Sequence, residues 1–513
     1  MLRQVSRFTG LLCLLTTTVW AGDLDFSALS DRAQKLAEQP YAAPPQRIPE
    51  FLLNLDFHTY HSIRFKPEHS LWREADSNFQ VMLVPPGLNY SHQVPINIID
   101  SEGTHPVPFD KSHFTYPDQE IEKRTPSDLG YAGFKLTFPF NEPETQNQFL
   151  VFIGASYFRA VGRNNNFGLS SRGLAINTGM PSGEKFPSFV EFWLERPAPD
   201  ATSMRIYGLL DGEYITGAYR FTVTPGETTR VKVKSRLFPR QSPQLLGIAP
   251  LTSMFYYGNH GGKPQGEWRP EVHDSDGLLI HDGESGEWLW HPLRNPATLA
   301  MDYFQTTDVR GFGLIQRDQS FHSYMDPETH YQSRPSAWIE PEGQWGEGQV
   351  VLVQLPTSDE TNDNIVAFWS PGKKVSGKQP LDFTYTFHFG DSRVPDEPMA
   401  RVVDTFVGDG SRIGGGNEVG AVRIIVDFAG GPLSPLEEGA QVVGDVSVQD
   451  GGEIIEQFVE YIPQLNRWRL SILARPDGTS AMFLRAFLRQ NEKTLSETWT
   501  YRLPQGSETF NNG

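Results

Sequence analysis

At 513 residues with a formal charge of −18 and a single cysteine, the chain is too long for one ordinary core and too acidic to favour nucleic acid or anionic lipid. Its 34 Phe, 17 Tyr, 47 Gly and 39 Pro, set against few helix signals, are the composition of a large all-β protein.

The N-terminus reads as an export signal. Arg3 and Arg7 precede an apolar run from Phe8 to Val19, and Val19-Trp20-Ala21 offers small residues at the two positions a signal peptidase reads. The run is well short of the roughly 20 residues that span a bilayer, so no stable membrane insertion is expected. Removal of residues 1–21 takes away Cys13 and leaves a cysteine-free chain of charge −20 with the periplasm as its destination. Core packing alone must then hold the fold.

Ser27 to Glu38 has Leu29, Ala33 and Leu36 at helical spacing before Pro40 and predicts the one clear helix. From about Pro44 onward, short runs of β-branched and aromatic residues alternate with Gly, Pro, Asn and Asp. Phe134–Phe140, Gln148–Gly154, Phe189–Leu194, Met204–Leu210, Ala218–Thr224, Thr229–Leu237 and Phe383–Phe389 all read as strands. With no long crossovers between them, antiparallel pairing is expected. Asp391 to Ala400, with Pro395 and Pro398, reads as a linker after an N-terminal domain over 22–390. The last stretch, 401–513, predicts a smaller sandwich with strands near Ala421–Phe428, Gln441–Val448, Ile454–Tyr461, Trp468–Ala474, Ala481–Leu488 and Ser496–Leu503. The run from Gly408 to Gly416 reads as a loop.

Two acidic clusters stand among aromatic residues, Trp268 to Gly277 and Pro356 to Val366. Two carboxyl groups brought together from distant parts of a chain, beside flat apolar rings, are what glycosidic hydrolysis requires: an acid for the leaving oxygen and a base for water. Acidic turn residues also simply cap loops, and Asp276-Gly277 reads as a hairpin turn between Glu271–His273 and Leu278–His281. A calcium loop opening at Asp274 would need ligands where Leu278 and Ser285 stand. The histidines have no compact zinc spacing, and no nucleophile elbow or phosphate loop occurs, so neither metal nor cofactor is expected. Trp288 and Trp290 must face the same way on a strand, both buried or both in a groove. Arg159, Arg163, Arg172 and Arg317 are candidate forks for sugar hydroxyls, or ordinary ion-pair partners in an acidic chain.

Six segments together, 154–159, 168–176, 249–255, 269–277, 334–338 and 359–366, closely resemble the periplasmic glucans biosynthesis protein family, types G and D, in collinear order, and Leu495 to Tyr501 fits as well. Type G is the closer match by its ordinary secretory signal, while Asp276 departs toward the D pattern. The resemblance implies a mutarotase-like N-terminal β-sandwich, an immunoglobulin-like C-terminal sandwich, and a part in making osmoregulated glucans with a β-1,2-linked backbone. It also implies endo-acting, inverting hydrolysis or transglycosylation, with low activity in type G. The general base falls on Asp274 and the general acid on Asp363, the acid working through a substrate hydroxyl. Their separation is then free to exceed the usual inverting range of about 6.5–9.5 Å. Asp363 is expected to stay protonated through burial or its neighbours Asp359 and Glu360, and Asp276→Asn to be much milder than loss of either acid. A groove for an extended glucan is expected to be lined by Tyr256, Trp338 and Trp345 with Arg317 nearby. Two other readings remain open: a non-catalytic glucan-binding scaffold that helps release or branch the backbone, with the inner-membrane glucan synthase as a partner, and, by fold analogy, an epimerase.

Overall fold

The computed structural model describes residues 24–504 apart from 76, 376, 378, 396, 398 and 411–417. The expected export signal and most of the glycine-rich run after Asp409 lie outside the described residues, as do two positions of the expected linker.

Phe26–Ala37 is the predicted helix. Asp25 caps it by accepting the Ala28 N–H at 2.8 Å, and Leu29 and Ala33 bury against Trp193, Tyr207 and Leu209. No other α-helix among the described residues exceeds six residues.

Two large sheets make the body. A ten-stranded sheet contains Gly133–Phe138, Asn147–Ile153, Tyr157–Ala160, Ser170–Arg172, Leu246–Ser253, Ile365–Pro371 and Glu347–Gln354 in that spatial order. A fifteen-stranded sheet contains Ser188–Glu195, Met204–Asp211, Ile215–Thr224, Thr229–Pro239, Leu381–Gly390 and Ser336–Glu342, also in spatial order. Rings close the space between them: Phe134 meets Phe192 at 5.1 Å, Phe152 meets Phe221 at 5.0 Å, and Phe158 meets Phe387 at 5.4 Å between centroids. Edge-to-face aromatic pairs of this kind bury a large apolar area in defined geometry, and so help fix the sandwich without disulfides.

Between the strands of the described residues, pairing is antiparallel with two exceptions. Ser188–Glu195 runs parallel to Ile96–Asp100, and Trp288–Pro292 runs parallel to Thr498–Leu503. Both join segments far apart in sequence, where no hairpin dictates direction. The expected hairpin at Asp276-Gly277 does not form. Val272–His273 pairs with Phe255–Tyr257, while Gly277–His281 pairs with Trp288–Pro292 and Gly311–Ile315. The chain changes sheets at Asp274 to Asp276, which places those side chains at a seam.

Residues after 400 pack as two facing sheets, but their sandwich is not self-contained. Arg401–Asp409, Val422–Ala429, Arg467–Pro476 and Gly452–Ile462 form a four-stranded sheet. Opposite it, Val443–Asp450, Met482–Gln490 and Thr498–Leu503 continue the fifteen-stranded sheet. The core between them includes Trp468, Leu470 and Ile472, on one face as alternation predicts, together with Trp288, Trp290 and Trp338 from the body. The two tryptophans of the Trp288–Pro292 strand are thus buried, and they weld the two halves together.

Candidate active site

Asp274 and Asp363 hang from one stretch of backbone. The strand Leu246–Ser253 pairs with Ile365–Pro371 and runs on into Met254 and Phe255. The Asp274 N–H donates to the Met254 carbonyl at 2.8 Å. One residue beyond Asp363, Asn364 holds Phe255 from both sides: its Oδ1 accepts the Phe255 N–H at 2.9 Å and its Nδ2 donates to the Phe255 carbonyl at 3.0 Å. The Ser253 and Ser275 hydroxyls close the junction at 2.8 Å.

Each carboxylate has an arginine. Arg334 Nε lies 3.3 Å from Asp274 Oδ1, and Arg159 Nη2 lies 3.7 Å from Asp363 Oδ2. The Arg159 Nε is held by Ser170 Oγ at 2.7 Å. Gly168 lets the chain pass directly against Arg334, since a Cβ there would lie 3.0 Å from Arg334 Cδ. The Asp274 side chain is 12 % exposed, and its Oδ1 accepts no hydrogen bond. The Asp363 side chain is 32 % exposed, and opens to solvent on one side.

Burial pushes the Asp274 carboxyl above the ordinary range; Arg334 pulls it back and the Asp363 charge adds to the rise. Burial also raises Asp363, against the guanidinium groups of Arg159, Arg172 and Arg334. Two carboxylates that feel one another titrate as a pair, which favours one proton shared between them over a fully charged site. The expected contribution of Asp359 and Glu360 is corrected here. Asp359 accepts hydrogen bonds from Thr361, and Glu360 is neutralised by Arg269 at 2.6 Å.

Arg269 is a hub for the loops around the site. Its guanidinium meets Glu267 at 2.7 Å, Asp326 at 3.1 Å and Glu360 at 2.6 Å, so the segments carrying Asp274, Arg334 and Asp363 are pinned together. A cation satisfied by carboxylates from three segments has little freedom to move. Glu267 is correspondingly held down to about 2, chiefly by its hydrogen bond with Arg269.

Arg159 also lines a cleft of about 1270 Å³ along the ten-stranded sheet. Lys135, Gln148, Tyr157, Tyr90 and Tyr60 line it, with the Tyr60 and Tyr90 rings 5.8 Å apart. Polar groups and rings in an open trough suit an extended polyhydroxylated chain. Among the described residues, no group of three or more His, Cys, Asp or Glu side chains is arranged to hold a metal ion.

The other expected lining residues are elsewhere. Trp338 is 3 % exposed and stacks on Trp288 in the core shared by the two halves, because its strand lies at the middle of the large sheet. Trp345 packs at 5.0 Å on Trp369 and at 5.4 Å on Phe383 between the sheets. Arg317 is buried over Trp290 at 3.6 Å and pairs with Glu497 and Glu397 across the seam with the C-terminal sheets, so its charge is already spent there. Tyr256 is partly exposed but lines a second groove with Asn295 and Thr357. Arg163 pairs with Glu227, and Arg172 with Glu184 at 2.5 Å.

Sequence reasoning missed Arg334, Arg269, Tyr90 and Tyr157 as site residues. Arg334 and Arg269 stood inside the recognised segments, but nothing local showed which carboxylates they would meet. The alternation of the Gly133–Phe138 and Asn147–Ile153 strands was the available signal for the cleft face.

The Asp276 carboxylate, expected to matter little to the chemistry, is half-buried; it accepts the Arg317 and Asp318 N–H groups and faces His273 Nε2 at 3.4 Å. A carboxylate with three donors around it is structural.

A family model described as periplasmic glucan biosynthesis protein, MdoG, matches residues 24–503.

Proposed function

The chain belongs to the periplasmic glucan biosynthesis family, and on that premise we propose that it trims or transfers the β-1,2-glucan backbone as an inverting endo-acting hydrolase. Its place of work in this reading is the periplasm, and no helix among the described residues is long and apolar enough to cross a membrane. The observation that carries the reading is the Asp274 Oδ1 atom, buried and accepting no hydrogen bond, beside Asp363, whose partner Arg159 lines a polar and aromatic cleft.

Asp274 takes a proton from a water molecule as its oxygen attacks C1 of a glucose unit. The C1–O bond to the next unit breaks, and its electron pair stays on the leaving oxygen. Asp363 supplies the proton to that oxygen through a substrate hydroxyl, and the new reducing end has the α configuration. Arg334 favours the ionised form of Asp274. Burial favours the protonated form of Asp363. If the acceptor is a sugar hydroxyl in place of water, the same single displacement performs transfer, and the new linkage is α. The inner-membrane glucan synthase is the partner that would supply the backbone.

The test is incubation of the purified protein with linear β-1,2-glucan, counting new reducing ends and reading the anomer formed first by NMR. Release of α-anomeric ends supports the reading. No release above background overturns it in favour of a glucan-binding scaffold, and β-anomeric ends overturn the inverting mechanism.

A further inference from the structure

His273 is wholly buried directly behind the candidate base, and the polarity of its hydrogen bonds fixes where its protons are. Gln316 Nε2 faces three acceptors: the His273 carbonyl at 3.0 Å, the Tyr331 carbonyl at 3.3 Å and the Tyr324 oxygen at 2.7 Å. The Tyr324 hydroxyl proton goes to the Asp318 carbonyl at 2.9 Å, so its oxygen is free to accept. Turning the amide over would set its oxygen against two carbonyls. Gln316 Oε1 therefore faces His273 Nδ1, 3.0 Å away, and that nitrogen must carry a proton. The opposite nitrogen, Nε2, faces Glu271 Oε2 at 3.1 Å and Asp276 Oδ1 at 3.4 Å, two further acceptors.

From this geometry we infer that His273 is a standing imidazolium and a positioning residue for Asp274. The inference rests on the functional reading above for its catalytic part and not for its charge. The backbone of His273 leads straight to Asp274, and Gln316 ties that backbone to the carbonyl of Tyr331, whose segment delivers Arg334. One buried cation thus sets the spacing between the base and its arginine. Its charge also helps hold Asp274 ionised.

The surroundings agree from every side. Phe255 stacks on the imidazole at 5.3 Å and 14°, and Tyr324 meets it edge-on at 5.2 Å. His260 beyond Phe255 is pushed down to about 4 by burial and stays neutral, its Nε2 at the Leu293 carbonyl. Burial would lower His273 as well, but Asp276 and Glu271 outweigh it and hold the ring up at about 9. A cavity of about 40 Å³ against Glu271, His273, Asp276 and Arg317 has room for water.

The test is ¹⁵N NMR of histidine-labelled full-length protein, with the signal assigned by its loss in His273→Gln. Both ring nitrogens protonated at pH 7.5, in wild type and in Asp274→Asn alike, is the expected result. One unprotonated nitrogen at that pH overturns the charge. In kinetics on β-1,2-glucan, His273→Gln should lower kcat on the order of tenfold or more with KM little changed, and move the acid limb of the rate profile to higher pH. An unmoved acid limb in a folded variant overturns the positioning role. Because His273→Gln can fail to fold, Glu271→Gln is the second variant, expected to lower the imidazolium pKa in the same NMR titration; an unchanged pKa overturns the ion pair behind the charge. Wild-type protein with the imidazolium intact but no hydrolysis would sink the functional reading alone.

Discussion

Asn364 grips the backbone of Phe255 through both its amide atoms, accepting the Phe255 N–H at 2.9 Å and donating to its carbonyl at 3.0 Å. The residue before Asn364 is Asp363, and the residue before Phe255 accepts the Asp274 N–H. The distance between the two acids is therefore set by backbone hydrogen bonds. Side-chain variants of either acid should leave that frame intact.

Asp274→Asn and Asp363→Asn should each lower hydrolysis on the order of 10²-fold or more, because the amide keeps the shape and removes the proton chemistry. Asp274→Asn should also match or exceed wild type in thermal stability. Its folded pKa is raised above 3.8 by burial, so the stability this carboxyl contributes is present below 3.8 and lost as pH rises through the raised value. Calorimetry at pH 7 checks this, and a marked fall in Tm would contradict it.

The rate profile should be bell-shaped, limited on the acid side by ionisation of Asp274 and on the alkaline side by loss of the Asp363 proton. Both carboxyls are raised by burial. Arg334→Met removes a charge that lowers Asp274, so the acid limb should move to higher pH. Arg159→Met removes the larger of the charges that lower Asp363, so the alkaline limb should move to higher pH. If Arg334→Met instead moves chiefly the alkaline limb and Arg159→Met chiefly the acid limb, the two roles are exchanged.

Arg269→Met should cost about 3 kcal/mol, since it leaves carboxylates of three segments without their cation. The loops should also loosen around the acids, lowering kcat more than glucan affinity. Urea unfolding together with steady-state kinetics separates the two effects.

Stability should fall on the alkaline side through His273. Its folded pKa of about 9 lies above the ordinary 6.5, so its contribution is complete below 6.5 and lost as pH rises through about 9. Denaturant midpoints across that window should decline in wild type and flatten in His273→Gln.

Trp338→Ala should cost about 3–5 kcal/mol as a core truncation, with glucan affinity unchanged in the folded fraction. Tyr90→Ala, in the cleft, should do the reverse and weaken glucan binding by about 1 kcal/mol. Calorimetric titration with a β-1,2-glucan oligomer distinguishes them.

The sequence by itself determined the all-β class, the N-terminal helix, most strand positions and the family, because period-two alternation, turn residues and helix spacing are local signals. It also supplied the segments that hold both acids. What only the tertiary structure decided was partnership. Trp338, Trp345 and Arg317 have the chemistry of a sugar groove, yet the first fills a core, the second packs half-buried against one and the third is spent on Glu497 and Glu397, since exposure depends on which sheet covers a strand. Asp276-Gly277 has the composition of a hairpin turn, but its strands find partners elsewhere in the chain. Arg334 and Arg269 carry no local mark of function. Their roles arise because charges far apart in sequence meet where water is largely excluded, where a Coulomb interaction is strong and an unpaired charge is costly.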